Sequence, residues 1–271
     1  MSQREYVATH DHETADLKLN PKNRTEGDFP SASECKIIAS TYILGRRETE
    51  ENIPYIRYGK RISVFGAEKN NLEQFKDVLN TYNKPQLVGF NDTCFDLPVV
   101  ALRSMAHGIS LPELFQSQSR FENYDYRYSD VFSFDLRDTI SRRRAAKIGP
   151  LDTLSQLVGF PGKTIASGDQ VQSLYEAGEF EKISHYCDLD TLLTTAVFLR
   201  WSKTSGALSD EGFRKSARSF RNFLEAEARE APHLAKFFTE IDWTAFELTQ
   251  PDDNRKNFIE YGPATMERES C

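Results

Sequence analysis

"EKISHYCDLDTLLTTAVFLRW" (Glu181–Trp201) reads as one long helix. Its stripe at three-to-four spacing runs Ile183, Tyr186, Asp190, Leu193, Val197, Trp201. Every member except Asp190 is apolar or aromatic. A carboxylate in the middle of a buried face is costly without a partner. Two partners are open: Tyr186, one turn earlier on the same face, through a hydrogen bond inside the core, or a metal ion.

Two further stretches hold carboxylates in unusual places. In "THDHETADL" (Thr9–Leu17), entered from the strand-like "EYVAT" (Glu5–Thr9), alternate residues share a face. Asp11 and Glu13 therefore point one way, and His10 and His12 the other. Two carboxylates spaced in this way offer hard oxygen ligands for Mg²⁺ or Mn²⁺, against the plainer reading of a strand fraying into solvent. Asp16 reads as loop surface. In "GFNDTCFDLPVV" (Gly89–Val100), Asp96 follows a short apolar strand and precedes Pro98, where a helix should begin. Helix capping accounts for such an Asp, but not for Asn91 or Phe95.

The remaining chain supplies a frame. Strands are expected at Cys35–Leu44, Ile53–Gly59, Gln86–Phe90 and Val131–Leu136. Helices are expected at Asn70–Tyr82, from Pro98 to a stop at Gly108, at Leu151–Gly159, and from Asp210 to Phe238. Glu113–Asp130 reads as loop-rich, and the tail from Pro251 as charged and weakly patterned. Strands and helices mixed in this order point to α/β architecture, a central sheet flanked by helices.

Composition sets the outer bounds. The chain has 271 residues, 39% of them hydrophobic and 12% aromatic, which is enough for a substantial core. A net charge of −7 counts mildly against a nucleic-acid binder, although bound cations would neutralise clustered acids. Cys35, Cys94, Cys187 and Cys271 form no C-x-x-C pair, fitting a reducing compartment. With no secretory h-region and no apolar run of membrane-spanning length, the expectation is a cytoplasmic protein.

D-x-E on a first strand, N-x-x-x-F-D before a helix and Y-x-x-x-D on a late helix occur here in that order. Together they resemble the DEDD superfamily of 3′–5′ exonucleases, which share a ribonuclease H-like fold. "LDTLSQLVGFPGK" and the stretch from "SGDQVQSLYEAGEF" into the long helix look like the predicted exonucleases related to the proofreading domain of family-B DNA polymerases. The resemblance covers Tyr6 to Trp201. It implies a mixed five-stranded ribonuclease H-like sheet in a domain spanning 1–202, with a helical extension and charged tail over 203–271.

The superfamily divides by a Tyr four before the last Asp or a His five before it, and His185 and Tyr186 are adjacent here. A shared face with Asp190 favours Tyr186, provided the helix starts before His185. The implied chemistry is phosphodiester hydrolysis at the 3′ end of single-stranded DNA by two divalent ions, Mg²⁺ or Mn²⁺. Asp11 would bridge both ions, Glu13 and Asp190 would complete the first site, and Asp96 would hold the second. Tyr186 would position the attacking water. Thr14, Asn91 and Phe95 are candidates for contacts with the terminal nucleotide. Arg142 and Arg143, in "SRRRAAK" (Ser141–Lys147), and the aromatic "FENYDYRY" (Phe121–Tyr128) are candidates for lining a strand channel.

Some features stand apart. "PGKT" (Pro161–Thr164) lacks the upstream Gly of a phosphate loop, Leu157 standing in its place. Asp135 and Asp188 match no ligand position and read as structural or surface residues. His12 occupies a position usually apolar in such proteins, so that either the rear face of the strand is open or the imidazoles are hydrogen-bonded there. The 70 residues after Trp201 carry no polymerase motif, consistent with a stand-alone nuclease or a subunit of a replication, repair or mobile-element assembly. An exoribonuclease and a non-catalytic nucleic-acid-binding module of the same fold are the alternatives.

Overall fold

The computed structural model describes residues 3–18, 30–117, 123–126, 130–162 and 170–248. A five-stranded mixed sheet forms its centre, in the order β3-β2-β1-β4-β5. The central strand β1 (Tyr6–Asp16) pairs antiparallel with β2 (Cys35–Glu50), which pairs antiparallel with β3 (Ile53–Phe65). On its other side β1 pairs parallel with β4 (Gln86–Gly89), and β4 pairs parallel with β5 (Ser133–Asp135).

Strand β1 runs well beyond Thr9, through the acidic stretch to Asp16. The long β2 supplies a partner at every step, placing Asp11 opposite Thr41 and Glu13 opposite Ala39. Asp16 thus closes a strand rather than lying in a loop. The register shifts between Glu13 and Thr14. Such bulges bend a strand and re-aim its side chains, here directly after the second acid.

Alternation along β1 divides the core. Ala8 joins the cluster of Tyr42, Leu72, Phe75 and Val99 under α1 (Glu68–Thr81) and α2 (Asp96–His107). Val7 faces the opposite cluster, built on α7 (Phe180–Thr204). Asp11 and Glu13 belong to the α7 side, and His10 and His12 to the α1 side.

Sequence signals locate the helix ends well where a residue type forces them. Gly108 ends α2 at φ 66°, a left-handed conformation that Gly adopts without strain. Asp135 accepts a hydrogen bond from the Asp138 amide and so starts α4 (Leu136–Ile140), shortening the strand expected over Val131–Leu136. The helical stretch expected over Asp210–Phe238 is formed by two helices, α8 (Asp210–Glu230) and α9 (Pro232–Glu240). Pro232 forces the break, because the residue before a proline avoids helical conformation and Ala231 is extended. The short helices α3 (Pro112–Phe115), α5 (Leu151–Leu157), α6 (Val171–Glu176) and α10 (Trp243–Glu247) are the remaining α-helices among the described residues.

Helix α8 covers the outer edge of the sheet. The amides of Ile56 and Tyr58 on β3 donate to the hydroxyls of Ser216 and Ser219 at 2.9 and 3.0 Å. These bonds satisfy groups that an open edge strand would leave exposed for pairing with another chain. Phe213, Phe220, Leu234 and Phe246 from the C-terminal helices share one apolar cluster with Val7, Ile43 and Val88 of the sheet. Among the described residues no helix is long and apolar enough to cross a membrane. Lys163 and Thr164, Phe121 and Tyr128, and the tail from Pro251 lie outside the described residues.

Candidate active site

Asp11 and Glu13 from β1 meet Asp190 from α7, with one carboxylate oxygen of each within 4.8 Å of the others. Asp96, the first residue of α2, lies outside that group of three but near enough to Asp11 for their charges to interact. Its carboxyl is held well above the ordinary range by burial first, and then by the charges of Asp11 and Asp92. The capping account of Asp96 does not hold, because Phe95 occupies the cap position and makes no side-chain cap bond. Carboxylates gathered in this way, with Asp96 close to Asp11, repel one another, and a cation relieves that repulsion. An all-carboxylate donor set suits hard cations such as Mg²⁺ and Mn²⁺.

Tyr186 and His185 separate clearly. Helix α7 begins at Phe180, so Tyr186 and Asp190 share a face as the spacing requires. Tyr186 is 2% exposed and hydrogen-bonds Asp190. Burial raises its phenol strongly, and the charges of Asp190, Glu13 and Asp11 raise it further. His185 turns away from the acids and stacks on His233, with ring centroids 3.7 Å apart.

Behind β1, the two histidines are built into the core. His12 Nδ1 lies 2.8 Å from Ser40 Oγ, and His10 Nε2 lies 3.3 Å from Asp92 Oδ2. Both rings contact Tyr42 and Phe75. Burial, with His10 adding to it, holds the His12 imidazolium form down. The rear face is closed and hydrogen-bonded, the second of the two expected outcomes for the departure at His12.

The turn leading to Asp96 is held from below. Asn91 adopts φ 72°, and its amide donates to Asp135 Oδ1 at 3.0 Å. Thr93 Oγ1 donates to the other Asp135 oxygen at 2.6 Å. Asp135 is therefore structural, fastening the turn to the end of β5. The Asn91 side-chain oxygen accepts from Arg144 at 2.6 Å and from Arg137 at 3.4 Å. Phe95 packs partly buried on the α1–α2 cluster, and Thr14 is half-buried just past the bulge.

Arg142 and Arg143 lie in an exposed turn where Arg142, Arg143 and Arg144 have φ 53°, 58° and 66°. Left-handed conformation costs a non-glycine residue about 1–2 kcal/mol. Arg144 is fastened there by its 2.7 Å pair with Asp138. Arg142 and Arg143 line a cleft of about 220 Å³ together with Thr93, Tyr124, Tyr126 and Asp135. The basic run and the described part of the aromatic segment thus reach the same cleft.

Asp188 has more partners than a surface or simple structural reading implies. It is buried, and its carboxylate accepts from Thr41 Oγ1 at 2.8 Å, Arg61 Nη1 at 2.7 Å, His233 at 2.9 Å and Ser63. Burial would raise its carboxyl, but the His233 bond, the Arg61 charge and the two hydroxyls hold it below the ordinary range. Its partners lie more than forty residues away, where no local spacing signals them.

No curated protein sequence matches the chain. Among solved structures, the family B DNA polymerase from the hyperthermophilic archaeon Pyrobaculum calidifontis is similar, with a TM-score of 0.52 and 16% identity. The match covers 83% of this chain and 29% of that one, so this chain spans under a third of the polymerase's length. The shared fold is the ribonuclease H-like one. A family described as predicted 3′–5′ exonucleases related to the exonuclease domain of PolB matches residues 27–241, a range that holds Asp96, Tyr186 and Asp190 and begins after Asp11 and Glu13. The chain belongs to that family of predicted 3′–5′ exonucleases.

Proposed function

We propose that the protein is a two-metal 3′–5′ exonuclease that removes nucleotides from the 3′ end of single-stranded DNA. The observation that carries this reading is the convergence of Asp11, Glu13 and Asp190 within 4.8 Å, with Asp96 beside Asp11. Asp11, Glu13 and Asp190 would hold one divalent cation, and Asp11 with Asp96 the other. When bound, the pair supplies an activated water and a counter-charge for the phosphate and the leaving oxygen. The water oxygen bonds to phosphorus, the P–O3′ bond breaks, and a nucleoside 5′-monophosphate leaves a strand one unit shorter.

The remaining side chains bind and orient. Tyr186, whose phenol is pushed far above neutrality, stays protonated and acts as an orienting donor rather than a base. Arg142 and Arg143 hold backbone phosphates in their cleft, and Tyr126 offers a ring for stacking, whereas Tyr124 is buried against Phe132 and shapes the cleft wall. Thr14, Asn91 and Phe95 border the terminal nucleotide, with Asn91 acting through Arg144.

The test is digestion of 5′-labelled single-stranded DNA and RNA of one sequence, with Mg²⁺, Mn²⁺ or chelator. A metal-dependent ladder shortening from the 3′ end, faster on DNA, is expected. Faster shortening of RNA would replace the substrate assignment. Strand binding without shortening under every metal would overturn the enzymatic reading.

A further inference from the structure

Helix α7 is gripped on two flanks. Tyr186 and Asp190 lie on one flank, facing Asp11 and Glu13. At 100° per residue, Asp188 lies about 160° around the helix from either of them. Between the flanks, Cys187 faces the sheet, and its Sγ donates to the Asp11 carbonyl oxygen at 3.3 Å. The Cys187 contact is a pivot, over which α7 could roll if nothing held its far side.

Asp188 ties that far side to the sheet and to α9. Thr41, its 2.8 Å donor, stands directly opposite Asp11 in the β1–β2 ladder. Arg61 and Ser63 bind it from β3, and His233 from α9. Arg61 also donates to Glu227 of α8 at 2.8 Å, extending the grip to the C-terminal helices. A carboxylate on α7 sits roughly 5–6 Å from the helix axis. A roll of about 10° would shift it by about 1 Å, a misplacement that can cost about 100-fold in rate.

We propose that Asp188 is a positioning residue for the carboxylate site, fixing the rotation of α7 so that Tyr186 and Asp190 meet Asp11 and Glu13. The inference rests on the exonuclease reading for its kinetic consequence, and on the geometry alone for its effect on metal binding. It gives α8 and α9 a part in building the site, through Glu227 and His233.

The test compares Asp188→Asn, Thr41→Val and Thr41→Ser in the full chain. Each is measured by Mn²⁺ titration, by kcat on 5′-labelled single-stranded DNA, and by strand binding in chelator. Thr41→Val keeps the shape and removes one donor to Asp188, whereas Thr41→Ser keeps the hydroxyl. Expected are losses of about 10–100-fold in Mn²⁺ affinity and in kcat for Asp188→Asn and Thr41→Val. Strand binding should stay unchanged, and Thr41→Ser should stay near wild type. A purely structural role would lower the melting temperature and leave the folded enzyme's Mn²⁺ dependence as in the wild type, which would overturn the proposal. Equal losses in Thr41→Ser would also overturn it. If Asp188→Asn fails to fold, the Thr41 pair decides alone. If the wild type binds Mn²⁺ but cleaves nothing, the exonuclease reading fails while the Mn²⁺ titrations still judge Asp188.

Discussion

Asp11 and Asp96, from the central strand and from the first turn of α2, are close enough that the charge of one raises the pKa of the other. Burial first, and then the charges of Asp11 and Asp92, make the folded protein hold a proton at Asp96 more tightly than the unfolded chain does.

The first prediction follows from that linkage. Between the ordinary carboxylate pKa and the raised folded value, the unfolded state binds fewer protons, so metal-free stability falls as pH rises. Melting curves in chelator should show a declining Tm from acid toward neutral pH. Added Mn²⁺ should raise Tm, and more so at the upper end. Asp96→Asn should flatten the decline, and a slope unchanged in that variant would place the effect elsewhere.

Tyr186 and His185 provide the second. Tyr186→Phe should lower kcat by about 100-fold, the scale of a misoriented reacting group, with KM near wild type. His185→Gln should cost much less, because its ring stacks on His233 away from the acids. Steady-state kinetics on a single-stranded oligonucleotide measures both. A larger loss in His185→Gln would reverse the assignment.

A third prediction concerns the turn after β4. A methyl group on Gly89 would come within 2.5 Å of the Asp92 Cβ, displacing the carboxylate that pairs with His10. Gly89→Ala should destabilise by about 1–3 kcal/mol in chemical denaturation. Gly59→Ala is the control, since a Cβ there meets nothing within 4 Å.

The cleft residues supply a fourth. Replacing Arg142 and Arg143 together by Ala should weaken strand binding and leave kcat at saturating substrate near wild type. The salt dependence of binding should shallow by roughly 0.7 per lost phosphate contact. An unchanged slope would remove both arginines from the strand path.

The sequence made the acids legible because each broke a local pattern. Asp190 interrupted an apolar stripe, and strand alternation separated Asp11 and Glu13 from the histidines. The length of β1 was not legible, since its polar residues are sustained by pairing with β2 rather than by their own propensity. The break at Pro232 divides a stretch that reads only as helical, because a proline leaves helix on both sides of the residue it forces out of line. Asp188 was hidden for a different reason: its value lies in Thr41, Arg61, Ser63 and His233, which only the folded sheet and the C-terminal helices bring together. The same holds for Asp135, whose bonds to Asn91 and Thr93 cross from β5 to the turn after β4.

The most direct test of the central claim, that these four carboxylates form a divalent-cation centre, is a calorimetric Mn²⁺ titration of the wild type and of Asp11→Ala. Two bound ions per chain in the wild type, both lost or greatly weakened in the variant, is the predicted result. Absence of binding in the wild type, or identical binding in Asp11→Ala, would contradict it.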